Sequence, residues 1–210
     1  MLRKQRDYFD YGGVYHIYNR TAKGRHLFSS EGDYAVFLER YRKYFHRYFV
    51  TFAYCLVPNH FHFLVRVKEP DEIDVSTEKT IAARKYLSGE CDINFFLEHQ
   101  LVRMFSGIAI KKNNMENKKG PLFDEATKRV LLKTEGRLIY QLCYIHHNVI
   151  HHHLGKHYKD WKHSSYLAYL SGKSSWLSTH IILEMLGGVD VFIDLHNDFK
   201  LERKEMLFWE

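Results

Sequence analysis

Two hydrophobic periods organise this chain. Val14-Tyr15-His16-Ile17-Tyr18-Asn19-Arg20, introduced by Gly12-Gly13 and rich in β-branched and aromatic residues, predicts a strand. Ser29-Ser30 then opens a helix, with Asp33 three residues after Ser30 in the manner of a capping box. Tyr34, Phe37, Leu38, Tyr41, Phe45 and Tyr48 follow at helical spacing. The apolar run Phe49 to Val57 predicts a buried strand that stops at Pro58-Asn59, and a third strand runs from His60 to Val67. Residues 68 to 91 are charged and irregular and predict an exposed excursion. Asn94 to Lys112 predicts a helix, Asn113 to Gly120 a polar basic loop, Lys128 to Lys133 a fourth strand, and Thr134 to about His151 a further helix.

That order is a βαββαβ core with an added helix, which predicts an α+β, ferredoxin-like antiparallel sheet. Beyond residue 170, the small polar stretch Ser171 to Ser178 and the short apolar pieces Ile181 to Leu186 and Val189 to Leu195 predict a tail packed on the core. The expected organisation is a main domain over residues 1–170 and a C-terminal tail over 171–210.

Composition sharpens this picture. With 210 residues, 45% hydrophobic and 27% charged, the chain suits one compact domain. No run of eighteen uncharged apolar residues is present to span a membrane. The start, Met1-Leu2-Arg3-Lys4-Gln5-Arg6-Asp7, has no apolar stretch behind its charges, so no signal peptide is expected. Cys55, Cys91 and Cys143 are far apart and form no CxxC pair, which predicts reduced thiols and a cytoplasmic, nucleoid-associated location. A net charge of +6, a pI near 9.1 and 16% aromatic residues suit a nucleic-acid binder, with cations for phosphates and ring faces for unstacked bases.

Candidate chemistry lies in two places. On the third strand, alternation puts Phe61, Phe63, Val65 and Val67 on one face and His60, His62, Leu64 and Arg66 on the other. His60 and His62 thus stand side by side at a spacing suited to one divalent ion, the plain alternative being two surface histidines on a half-buried strand. On the helix from Thr134, Leu138, Leu142, Ile145 and Val149 make an apolar seam, while Arg137, Gln141, Tyr144, Asn148 and His151 make a separate stripe. Tyr144 and Asn148 sit one turn apart, so a phenol lies beside an amide oxygen able to reach a metal. The histidines at 146, 147, 151, 152 and 153 are read as a polar helix end near phosphate or solvent.

These residues resemble a known family. Pro58-Asn59-His60-Phe61-His62-Phe63-Leu64 resembles the His-hydrophobe-His strand of single-tyrosine HUH transposases. Tyr144-Ile145-His146-His147-Asn148 is similar to the catalytic-tyrosine helix of the REP-associated tyrosine transposases among them. Gly13 to Arg20, Gly120-Pro121-Leu122-Phe123 and Asp160 to Tyr166 match further family segments, in order, over about residues 12 to 170. The resemblance implies a ferredoxin-like fold and metal-dependent cutting and joining of single-stranded DNA near hairpins. By position it implies His60, His62 and Asn148 as ligands of Mg²⁺ or Mn²⁺ and Tyr144 as nucleophile, forming a 5′-phosphotyrosine. Two departures stand out: Asn148-Val149 replaces the family's Asn-Pro, and Asp124 to Thr127 is more acidic than the basic stretch expected there.

Single-stranded or hairpin DNA is the expected partner, with monomer and homodimer both open. Arg20, Lys23, Arg25, Arg66, Lys111, Lys112, Lys118, Lys119, Arg129 and Lys133 are the expected backbone contacts. Neutralising six phosphates on a single strand would give a log–log salt slope of roughly −4. Two alternatives remain at this stage: a catalytically silent, domesticated hairpin DNA- or RNA-binding relative, and a metal-dependent nuclease that uses water as nucleophile.

Overall fold

The computed structural model describes residues 6–172 and 175–200. Strands β1 (Val14–Arg20), β2 (Phe49–Val57), β3 (His60–Val67) and β4 (Lys128–Leu131) form one sheet in the order β2-β3-β1-β4, with each neighbouring pair antiparallel. Helix α1 (Glu31–Phe45) connects β1 to β2, and α2 (Ile81–Leu87) and α3 (Ile93–Glu116) lie between β3 and β4. This is the split βαβ arrangement of the expected α+β class. Helix α4 (Glu135–His151) follows β4.

The helices cover both faces of the sheet. Phe37, Tyr41 and Phe45 of α1 and Phe96, Leu97, Leu101 and Met104 of α3 pack on Phe61, Phe63, Val65 and Val67. On the other face, Leu142, Ile145 and Val149 of α4 pack on Val50, Ala53, Cys55 and Leu64. Strand β3 is therefore buried on both sides, with His60 5% and His62 3% exposed, unlike the alternative of surface histidines on a half-buried strand.

Local chemistry explains the helix boundaries. Ser30 and Asp33 make the expected capping box of α1, and the Thr134 side chain accepts from the Arg137 amide to start α4. Helix α3 continues past Lys112 to Glu116, into the predicted loop, because Glu116 pairs there with Arg25, Lys112 and Lys118. Asn117 then ends it in the left-handed region, at φ 49°.

The excursion at 68–91 is more ordered than its composition predicts. Thr80 caps α2, whose buried face consists of Ala82 and Ala83, while Ile81 and Leu87 are exposed. A helix that buries its small residues leaves no hydrophobic stripe to read.

The C-terminal pieces are helices: α5 (Tyr166–Leu170), α6 (Thr179–Leu186) and α7 (Val189–Asp198). Gly187 and Gly188, at φ 88° and 123°, break one apolar stretch into α6 and α7 in a conformation that side-chain-bearing residues rarely adopt. Ile182 and Phe192 are buried in the α4 core, and Phe192 stacks on Tyr169 with centroids 4.3 Å apart. The last predicted residues of the tail, 201–210, lie outside the described residues. Edge strand β2 is covered by the segment before α5, where the Leu56 amide donates to His163 O at 2.9 Å and Trp161 Nε1–H to Leu56 O at 2.9 Å. No helix among the described residues is long and apolar enough to cross a membrane.

Candidate active site

Strand register and helix phase bring the site together. Antiparallel pairing sets Tyr18 opposite His62 and Arg20 opposite His60, so His16, Tyr18, Arg20, His60 and His62 share the face that α4 covers. From α4, the stripe Gln141, Tyr144 and Asn148 points at that face, and all three are buried. The ring of Tyr144 meets His62 edge-on at 5.8 Å and His16 at 6.2 Å.

The polar contacts form a connected set. His60 Nε2 lies 2.8 Å from Asn148 Oδ1, and His60 Nδ1 lies 2.7 Å from Asn59 Oδ1. His62 Nδ1 lies 2.8 Å from His16 Nε2. His62 Nε2 and Asn148 Nδ2 are buried and have no hydrogen-bond partner. A cleft opens onto the group, lined also by Tyr18, Asn19, Arg20, Asp124, Glu125, Lys128, His151 and His152. The acidic stretch after Phe123 therefore reaches the cleft itself, where Glu125 pairs with Lys128 at 3.4 Å.

Burial keeps these imidazoles neutral. It lowers His60 to about 3, with the neighbouring His152 adding to the effect. It holds His62 well below the usual histidine range, with His16 and His60 adding to the effect. Tyr18 is raised, first by burial and then by Tyr144 and Glu125. Neutral imidazoles are the form in which histidine binds metal.

The donor set suits a divalent cation. Nε2 of His62 is buried without a partner inside the fold, and His60 Nε2 with Asn148 Oδ1 adds a nitrogen and an oxygen 2.8 Å apart. Adjacent donors around a small octahedral ion with bonds of about 2.1 Å sit about 3 Å apart. Among the described residues no cluster of three or more His, Cys, Asp and Glu is placed to hold a metal, and Asn148 offers an amide oxygen beside His60.

The expected cations separate into groups. Arg20 is exposed at the cleft. Lys23, Lys111, Lys118, Lys119 and Lys133 are exposed elsewhere, Lys118 pairing with Glu116. Arg129 is a correction. Strand alternation turns it to the opposite face, where it is buried and bonds Glu98, Asn94 Oδ1 at 3.1 Å and the backbone of Asp7. Lys112 is another, held nearly buried between Ser29 Oγ at 3.0 Å and Asp33 at 3.1 Å, where it ties α3 to the start of α1. Arg25 is bound to Glu116 at 3.0 Å. Arg66 pairs with Glu69 and Glu72, and six residues of strand place it about 20 Å from His60.

The histidine run departs from its reading as a polar helix end. His146 is fully buried and bridges His196 Nε2 of α7 and Ser165 Oγ, each at 2.8 Å. His151 and His152 do reach the cleft, His152 edge-on to His60 at 4.3 Å. His16, Asn59 and Tyr18 carry no sequence signal that marks them as site residues. Alternation along β1 puts His16 and Tyr18 on one face, but only the β1–β3 register shows that this face is the one that carries His62.

No family model matches the chain, and no curated protein matches it. Among solved structures, it is similar to a REP-associated tyrosine transposase bound to a REP hairpin. The TM-score is 0.52 at 15% identity, over 81% of this chain and 87% of that one. At that identity the likeness is one of fold, an α+β fold with a four-stranded antiparallel sheet.

Proposed function

We propose that this chain is a metal-dependent single-strand DNA transposase that cuts and rejoins DNA near hairpins through a 5′-phosphotyrosine on Tyr144. The observation that carries the reading is the meeting of Tyr144, His60 and His62 at one cleft, with Asn148 bonded to His60 beside it, delivered by two separate elements. The hairpin bound by the solved transposase of similar fold supports the substrate class.

His60, His62 and Asn148 would hold Mg²⁺ or Mn²⁺. Bound there, the cation supplies Lewis acidity to the non-bridging oxygens of the scissile phosphate. Tyr144 supplies the nucleophile: its phenol oxygen bonds to phosphorus as it gives up its proton, and the P–O3′ bond breaks. The departing oxygen takes a proton and leaves as a free 3′-OH, with the 5′-phosphate on Tyr144. Because the phosphodiester energy is kept in the tyrosyl ester, a 3′-OH can reverse the step and rejoin strands without ATP. Arg20 and Lys128, at the cleft, offer positive charge to the DNA backbone, and the apolar seam of α4 packs on the sheet face that carries the site.

Incubation with labelled hairpin oligonucleotides and Mn²⁺, followed by a denaturing protein gel, tests this. An EDTA-sensitive labelled band at the protein's mass is expected. Hairpin binding without any adduct over a broad oligonucleotide pool overturns the reading in favour of a silent hairpin binder.

A further inference from the structure

We infer that His146 is the positioning residue of the nucleophile: bonded to Ser165 and to His196, it fixes the pose of α4 on the sheet and with it the place of Tyr144. This rests on the reading of Tyr144 as nucleophile, and it makes α7 a support of the site.

The protons of this buried chain are assigned from its far end. His196 Nδ1 lies 2.7 Å from Phe192 O, a carbonyl that only accepts, so that nitrogen carries a proton. Among the described residues neither ring is bonded to a carboxylate, and burial keeps both neutral. His196 Nε2 is then a lone pair, and His146 Nδ1–H donates to it at 2.8 Å. His146 Nε2 is in turn a lone pair, which accepts from Ser165 Oγ–H at 2.8 Å. That is the nearer of two acceptors for the hydroxyl, Tyr54 O lying at 3.2 Å. Ser165 is itself fixed to edge strand β2, its Oγ accepting from Tyr54 N–H and its N–H donating to Tyr54 O, each at 2.9 Å.

Helix phase links this chain to the nucleophile. Two residues turn a helix by about 200°, so His146 leaves α4 on the side away from Tyr144 and Asn148. On one side Asn148 bonds His60; on the other His146 bonds Ser165 and His196. The apolar seam of Leu142, Ile145 and Val149 holds α4 to the sheet, but apolar contact has no direction. The opposed polar bonds therefore set the rotation of α4 about its axis. His146 lies among the rings of Tyr166, Tyr169 and Phe192, where a fully satisfied polar chain makes the packing unique. Tyr144 needs that precision, since an error of about 1 Å can cost about a hundredfold in rate.

The test uses the full chain with fluorotyrosine placed at position 144. Its ¹⁹F signal reads the surroundings of the phenol, and single-turnover adduct formation with a labelled hairpin and Mn²⁺ reads the rate. His146→Leu removes both bonds, His146→Gln keeps an amide able to bond Ser165, and His196→Phe removes one bond from outside α4. His146→Leu should move the fluorine signal and slow adduct formation up to about a hundredfold, with hairpin affinity unchanged. His146→Gln should restore the signal and most of the rate, and His196→Phe should fall between. An unmoved signal in folded His146→Leu overturns the proposal. So does equal loss in His146→Leu and His146→Gln, which would leave the histidine a filler of the core. If His146→Leu fails to fold, an unmoved signal in His196→Phe overturns it instead. A native chain that forms no adduct removes the reading of Tyr144 as nucleophile, while the fluorine signal still decides whether His146 places that side chain.

Discussion

Asn148 Oδ1 reaches His60 Nε2 at 2.8 Å, joining the last turn of α4 to the first residue of β3 across 88 positions of sequence. Val149, standing where the resembled family has proline, lets the helix run on to His151 and is itself fully buried in the α4 core. The valine thus leaves Asn148 in register with His60.

Asn148→Ala should therefore weaken Mn²⁺ binding by about tenfold or more, and should cost about 1 kcal/mol or more of stability, since it removes the buried bond to His60. Isothermal titration with Mn²⁺ checks this. Unchanged affinity would remove the amide from the donor set.

Two arginines once equivalent on paper should behave oppositely. Arg20→Ala should leave stability nearly unchanged and reduce the salt slope of single-strand binding by about 0.7, one phosphate contact. Arg129→Ala should leave that slope alone and cost about 2 kcal/mol or more of stability, because it strips charged hydrogen bonds from a buried position. Salt-dependent fluorescence anisotropy and denaturant unfolding separate the two.

Acid should loosen the contact between α4 and α7. Burial lowers His196 to about 4 and holds His146 well below the usual range. In the unfolded chain both take a proton near pH 6.5, so the unfolded state binds more protons below that pH. Stability from this pair is fully present above pH 6.5 and is lost as pH falls toward 4, at about 1.4 kcal/mol per pH unit for each group. Denaturant midpoints measured from pH 7.5 to 4.5 should fall accordingly, and a flat profile would contradict the buried neutral pair.

How much of this was legible in sequence depended on whether a signal was local. Alternation through His60-Phe61-His62 and the stripe Gln141-Tyr144-Asn148 are local patterns, and the structure brings those two faces together. His16 was invisible as a partner because its neighbour is set by β1–β3 pairing, a long-range fact. Arg129 and Lys112 read as surface cations because their acidic partners, Glu98 and Asp33, lie 31 and 79 positions away. His146 looked like part of a solvent-facing run, yet one residue of helix phase turns it from the cleft into the α7 contact. Helix α2 escaped notice because alanines carry its buried face.

The most direct measurement is the fate of Tyr144 with 5′- and 3′-labelled hairpin oligonucleotides in Mn²⁺. A labelled protein band should form when the label lies 3′ of the cut, since the 5′-phosphate stays on the tyrosine. It should vanish in Tyr144→Phe, with cleavage down on the order of a thousandfold or more and hairpin affinity unchanged. Cleavage that persists in Tyr144→Phe and leaves free 5′-phosphate ends would contradict the account and point to water as the nucleophile.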